Sequence, residues 1–175
     1  MEAPCVTSAD FKAAMGSFAV GVTIVTTIAP NGAPEALTAT AFSSVSAEPP
    51  LCLVCIDKRA RSHGPLLRTG SFAINILGAH QEALSKRFAA PIADRFAGVH
   101  WQPGEVTSCP IISGALACLE CHVVEVHAGG DHDIFLGRVA SVRLGQGVPL
   151  VYWRGSYSSL PPAAEVLCAE TPRVA

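Results

Sequence analysis

Between Gly21 and Trp153 the sequence alternates short apolar or β-branched runs with turn residues, and that punctuation decides the fold class. Val22 to Thr27 is rich in β-branched residues, and Pro30-Asn31-Gly32 then turns the chain back along Glu35 to Ala41 as a hairpin. Leu51 to Ile56 and Phe72 to Leu77 read as further strands. Leu116 to His127 and Ile134 to Leu144 are the longest strand candidates, joined by Ala128-Gly129-Gly130-Asp131-His132, and Leu150 to Trp153 is the last. Short helices interrupt them: one capped by Ser8 with Phe11, Met15 and Phe18 at helical spacing, one around Pro65 to Arg68 ended by Gly70, and one over Gln81 to Phe88. The segment from Ala89 to Pro110, with Pro91, Gly98, Pro103 and Gly104, reads as loop with short turns. Roughly seven strands with short helices between them predict a mainly-β barrel, and the lack of regular βα alternation counts against a doubly wound sheet.

Composition narrows what such a barrel can do. Of the 175 residues 50% are apolar and only 15% charged, against roughly 25% charged in ordinary soluble domains. A second subunit covering part of the surface is therefore expected. The net charge of -2 offers no electrostatic footprint for nucleic acid, and no block of like charge marks a membrane surface patch. Ala13 to Pro34 lacks charge but changes periodicity and is broken by Gly16, Gly21 and Gly32, so no membrane span is expected. No basic segment precedes an apolar run near Met1, which leaves the cytoplasm as the expected compartment. One domain is expected over residues 8–160, with a loosely held, Pro/Ala-rich tail at 161–175.

Cys52-Leu-Val-Cys55 and Cys118-Leu-Glu-Cys121 both spell C-x-x-C, and His122 extends the second into a haem-attachment pattern. Both sit inside expected strands, where residues i and i+3 face opposite ways, so neither pair can grip one metal and core cysteines are expected. No metal site is assigned. The sequence contains no G-x-x-x-x-G-K-[ST], G-x-G-x-x-G or G-x-S-x-G motif, so phosphate-loop, Rossmann and nucleophile-elbow chemistries have no support.

Other segments carry polar groups suited to a ligand, each beside a plainer reading. Thr38-Ala39-Thr40-Ala41-Phe42-Ser43-Ser44-Val45-Ser46 lets a backbone approach a flat ligand while offering hydroxyl donors, or it is a polar strand end. Lys58, Arg59, Arg61, Ser62 and His63 suit a phosphate, or form a solvated turn. Lys86-Arg87-Phe88 closes a helix where cations also complement the dipole. Gly129-Gly130-Asp131-His132 is a tight turn whose imidazole suits a carboxamide or phosphate.

Taken in order, Phe11 to Thr27, Thr38 to Ser46, Pro49-Pro50-Leu51 to Asp57, Ser71 to Leu77, Gly130-Asp131-His132 with Phe135-Leu-Gly-Arg-Val139, and Pro149 to Tyr157 resemble the short-chain flavin reductases. These are the reductase partners of two-component flavin-dependent monooxygenases, and the likeness runs from Phe11 to about Leu160. The resemblance implies an FMN-binding split β-barrel acting as a homodimer, with flavin near the subunit interface. It implies that Thr38, Thr40, Ala41, Ser43 and Ser44 line the ribityl chain and isoalloxazine. Cys55, Ile56 and Asp57 would border the ring, while Arg61, Ser62 and His63 approach the phosphate. Lys86, Arg87 and Phe88 would add charge and an apolar wall. His132 would contact the nicotinamide dinucleotide, with Tyr152, Arg154 and Tyr157 nearby. Thr40 stands where many relatives have Asn, and Trp153 where His or Tyr is frequent.

The implied activity is NAD(P)H:flavin oxidoreduction, with hydride passing from nicotinamide C4 to flavin N5 and reduced flavin diffusing to a monooxygenase. The shared loops do not distinguish FMN from FAD or NADH from NADPH. Two rival readings are a split-barrel oxidoreductase with permanently bound flavin, of the pyridoxamine-phosphate oxidase type, and a non-catalytic flavin- or haem-binding carrier.

Overall fold

A computed structural model describes residues 5–160, so the expected tail at 161–175 lies outside the described residues. The chain opens with helix α1 (Ser8–Gly16), whose cap is Thr7 rather than Ser8. Thr7 Oγ1 accepts from Asp10 N at 3.1 Å, while the Thr7 amide and hydroxyl donate to the Asp10 carboxylate, closing a reciprocal capping box. Then come β1 (Val20–Gly21), β2 (Thr23–Ile28), β3 (Pro34–Ala39), β4 (Phe42–Ala47), β5 (Pro50–Asp57), α2 (His63–Thr69), β6 (Ser71–Ile76) and α3 (Glu82–Ala89). The hydroxyl-rich run after Ala41 is thus itself a strand. Strands β7 (Trp101–Pro103) and β8 (Pro110–Ile112) pair as a small hairpin within the stretch expected to be loop. The long hairpin β9 (Ala117–Gly129) and β10 (His132–Leu144) follows, then β11 (Leu150–Trp153) and β12 (Ser156–Ser159), a strand absent from the sequence reading.

Seven strands form one antiparallel sheet in the order β3-β2-β6-β9-β10-β5-β4. Strands β3 and β4 lie at its opposite edges, yet only Thr40 and Ala41 separate them in sequence. Three residue steps span at most about 11 Å, so the two edges must approach and the sheet curls into a barrel. Cys55 N donates to Ala41 O at 3.0 Å at this junction. Strands β1, β11 and β12 form a separate small sheet.

Val25, Val54, Ile56, Leu66, Phe72, Ile74 and Phe135 fill one core cluster. A second cluster gathers Ile24, Ala36, Leu77, Phe88, Ile112 and Leu150. Neighbouring residues Ile24 and Val25 serve different cores, which is why β2 is buried at nearly every position. Gly137 in β10 leaves room for Phe72: a side chain there would place its Cβ 2.5 Å from the ring and 3.1 Å from Cys121 Cβ. The β9–β10 ladder carries two register shifts, one leaving Val124 of β9 without an opposite residue and the other doing so for Ala140 of β10.

Cys52 faces the barrel interior and Cys55 the other side of β5; Cys121 likewise joins the barrel core while Cys118 packs with Cys109 and Ile111. The members of each C-x-x-C pair therefore point apart. Instead, Cys52 meets Cys121 from the other motif, sulfur to sulfur at 3.6 Å.

Glu120 on β9 is 3% exposed. Its carboxylate accepts from the amides of Glu105, Val106 and Thr107 at 3.1, 3.0 and 2.7 Å and from the Thr107 hydroxyl at 2.8 Å. Gly104 leaves the space this carboxylate fills, since any side chain there would collide with it. Burial alone would raise the Glu120 pKa, but the bonds from Thr107, Val106 and Glu105 together hold it below the ordinary glutamate value. Glu120→Gln is expected to cost about 1–3 kcal/mol at neutral pH. Because the folded-state pKa is depressed, this deficit is fully present above about pH 4.5 and narrows as pH falls through the folded pKa. Urea unfolding of both proteins between pH 7 and 3 measures it, and a deficit that grows on acidification would contradict the assignment.

Candidate functional site

Strand alternation places alternate residues of β5 outward, and its neighbours extend the same face. His132 of β10 lies directly opposite Asp57, Ile134 opposite Cys55, and Leu136 opposite Leu53. On the other side of β5, Ser43 lies opposite Leu53. The result is a shelf with a half-buried floor of Leu53, Cys55, Ile134 and Leu136, Ser43 along β4, and a His–carboxylate pair at its far end, whereas Ser44, opposite the inward-facing Cys52, lies on the other face of β4. Successive rows are about 7 Å apart, a scale that suits a planar fused-ring ligand. The Ser43 hydroxyl donates only to the carbonyl of Ser44 at 3.1 Å. Ile56 and Phe88 do not join this surface. Ile56 is fully buried in the barrel, one residue out of phase with the shelf, and Phe88 is 1% exposed in the second core. Neither ring border nor apolar wall describes their side chains.

The turn from Asp57 to His63 carries its cations already partnered. Arg59 grips Asp57 at 2.8 Å, and its side-chain and backbone hydrogen bonds hold the Asp57 carboxyl well below the usual carboxylate range. Arg61 donates to Glu35 at 2.9 Å and to Ala93 O at 2.8 Å. Lys58 donates to Gly130 O at 2.7 Å and lies 3.5 Å from Asp133. Ser62 stands apart: its hydroxyl is buried and, among the described residues, has no hydrogen-bond partner. Such an orphaned donor fits a ligand rich in acceptor oxygens, as a flavin ribityl phosphate is.

At the β9–β10 turn, His132 Nδ1 and Asp131 Oδ1 are 2.7 Å apart, which holds Asp131 below its ordinary pKa. Thr38 belongs to a second polar cluster, donating to Ser85 O at 2.7 Å, while Ser85 Oγ meets Tyr157 OH at 2.8 Å. Lys86 lies 5.6 Å over the Tyr157 ring and pairs with Glu82, and Tyr152 packs edge-on against Tyr157. Arg87 is spent on the carbonyls of Arg95 and Asp94. Arg154 lies against Trp153 beside α1, at a cleft of about 510 Å³ shared with Lys12 and Gly16. Ser85, Asp133 and Glu35 were not among the residues singled out in the sequence. Only the strand parity around Gly130-Asp131-His132-Asp133 could have pointed to one of them, by placing Asp133 on the face opposite His132.

Residues 15–161 match the family described as flavin reductase like domain. The flavin reductase (NADH) of Kitasatospora aureofaciens is 44% identical over 154 residues, covering 86% of this chain and 81% of that protein. The HsaB reductase subunit of a flavin-dependent monooxygenase from Rhodococcus jostii is 39% identical over 153 residues, covering 87% and 77%. Among solved structures, the NADH:FAD oxidoreductase SgcE6 of Streptomyces globisporus C-1027, in complex with NAD and FAD fragments, superposes with a TM-score of 0.86 at 35% identity, covering 93% of this chain and 100% of that one.

Removing an unpartnered buried hydroxyl relieves a desolvation cost. Ser62→Ala is therefore expected to leave the melting temperature of the ligand-free protein unchanged or higher. A loss beyond about 1 kcal/mol in thermal or urea unfolding would mean the hydroxyl has a partner within the protein.

Proposed function

This chain belongs to the flavin reductase like domain family, and from that premise we propose that its shelf is where flavin and nicotinamide meet. The protein is an NADH-dependent flavin reductase that supplies reduced flavin to a monooxygenase partner. The flavin and the nicotinamide supply the chemistry themselves, a hydride passing from nicotinamide C4 to flavin N5. The chain's own task is placement, which requires no nucleophile or general base.

The observation that carries this reading is the direct opposition of Asp57 and His132, with Ser43 of β4 on the same face. In this assignment Thr40, Ala41, Ser43, Ser44 and Cys55 hold the flavin, with Asp57 at the end of the ring. Ser62 offers its hydroxyl to the phosphate, and Arg61 and His63 reach it only by sharing their present partners. Thr38, Lys86, Arg87, Tyr152 and Tyr157 back the site from β3, α3, β11 and β12. His132 contacts the nicotinamide, with Arg154 toward the remainder of the dinucleotide.

A homodimer is supported by what the single chain leaves uncovered. Phe11, Met15 and Phe18 are 60%, 52% and 67% exposed along α1 and its end. The shelf itself is open, which a second subunit would close. Among the described residues no helix is long and apolar enough to cross a membrane. The compartment we assign is the cytoplasm, where buried thiols such as Cys52 and Cys121 stay reduced. The folded unit assigned is 8–160.

NADH oxidation, followed by absorbance with and without added free FMN or FAD, tests the activity; strong stimulation by flavin is expected, and none would refute it. His132→Ala should raise the KM for NADH several-fold more than it raises flavin Kd, whereas Ser43→Ala and Ser44→Ala should chiefly loosen flavin. An unchanged kcat/KM for NADH in His132→Ala would remove that residue from the site. Sedimentation at micromolar concentration should give a dimer that Phe11→Glu weakens, and a wild-type monomer would rule out the paired arrangement.

A further inference from the structure

Asp133 follows His132 in β10 but points the other way, into the mouth of the barrel, where its partner on β5 is Ile56. One carboxylate oxygen lies 2.8 Å from His63 Nε2 and the other 3.5 Å from Lys58 Nζ. The His63 and Asp133 side chains are only 12% and 14% exposed, and the imidazole meets the Phe135 ring edge-on at 5.7 Å. Lys58 adds its backbone amide to Asp131 O at 3.0 Å. The turn from Asp57 to His63 is thus fastened to the β9–β10 connection by Lys58 and His63, and to β3 by the contact between Arg61 and Glu35. His63 directly follows Ser62, whose buried hydroxyl has no partner among the described residues.

We propose that Asp133 is a positioning residue: acting through His63 and Lys58, it fixes the Ser62 hydroxyl at a set offset from His132. Flavin and nicotinamide are then bound by one rigid piece of the fold. This inference rests on the flavin reductase reading of the same turn. The carboxylate lies on the strand face opposite His132, so its influence passes through the residues it holds. Hydrogen bonds to a charged acceptor are stronger than neutral ones, and removing one partner of a shielded pair strands the other. Without the carboxylate His63 would lose its partner, the turn would keep only the two Lys58 bonds to Asp131 O and Gly130 O on this side, and Ser62 beside His63 would be held less firmly.

The test uses the full chain, with flavin Kd read by quenching of FMN or FAD fluorescence in the absence of nicotinamide, and NADH oxidation separating KM from kcat. Asp133→Ala is expected to raise flavin Kd and NADH KM each about tenfold, with a smaller change in kcat. Asp133→Asn, which keeps an oxygen acceptor for His63, should recover most of the loss. Adding Lys58→Ala to Asp133→Ala should weaken binding little further, because the two residues act as a unit. Wild-type flavin Kd in folded Asp133→Ala, or additive losses in the double variant, would overturn the proposal. Should Asp133→Ala fail to fold, the Asp133→Asn and Lys58→Ala double variant, which keeps His63, takes its place: weakened flavin binding supports the proposal and wild-type Kd overturns it. Wild-type protein that binds no flavin would overturn both this role and the reading beneath it; wild-type binding with insensitive variants overturns the positioning role alone.

Discussion

Thr40 and Ala41 carry the chain from one edge of the seven-stranded sheet to the other, and the bond from Cys55 N to Ala41 O ties that passage to the strand beside it. Edge strands leave backbone donors and acceptors unpaired, and here the two edges are linked through the chain itself rather than through ladder bonds to each other. The same junction brings β4 alongside β5, so Ser43, just after Ala41, shares a face with Cys55 and Asp57. Small residues are needed where the strand changes partners, and hydroxyl residues follow where a ligand can be met. Barrel closure and ligand face are two results of one short stretch of chain.

The strand pattern was legible wherever turn chemistry was explicit. Pro30-Asn31-Gly32 reads as a hairpin, and in the fold Asn31 Oδ1 accepts from Ala33 N at 3.1 Å while Gly32 takes a φ of 83°. The strands β7 and β8 were hidden because each is short and begins or ends on proline. Strand β12 was hidden because Arg154-Gly155 turns the chain within an otherwise polar stretch. Within the site, segments were readable but faces were not. Leu51 to Ile56 is continuously apolar, so no alternation in the sequence tells that Cys52, Val54 and Ile56 point inward. Lys86, Arg87 and Phe88 are consecutive on a helix and so must diverge, sending only Phe88 to the core.

Charge plays a smaller part in this site than its basic residues suggest. Arg59, Arg61, Lys58, Lys86 and Arg87 each have partners within the protein, so a phosphate would have to share them rather than meet free cations. In the proposed assignment binding leans on hydroxyls, the orphaned Ser62 among them, and on half-buried apolar contact. Such a site gives moderate affinity with good orientation, a combination that suits a flavin that must enter oxidised and leave reduced.

The two unmatched residues in the long hairpin, Val124 and Ala140, sit on opposite strands, and their offsets cancel. Each one alone would reverse which side every later rung of the ladder presents, exchanging imidazole for carboxylate at one end relative to the other. Together they bend the wall and restore its phase. Losing either residue alone would therefore slide one strand of the hairpin against the other, whereas losing both would keep the outer register.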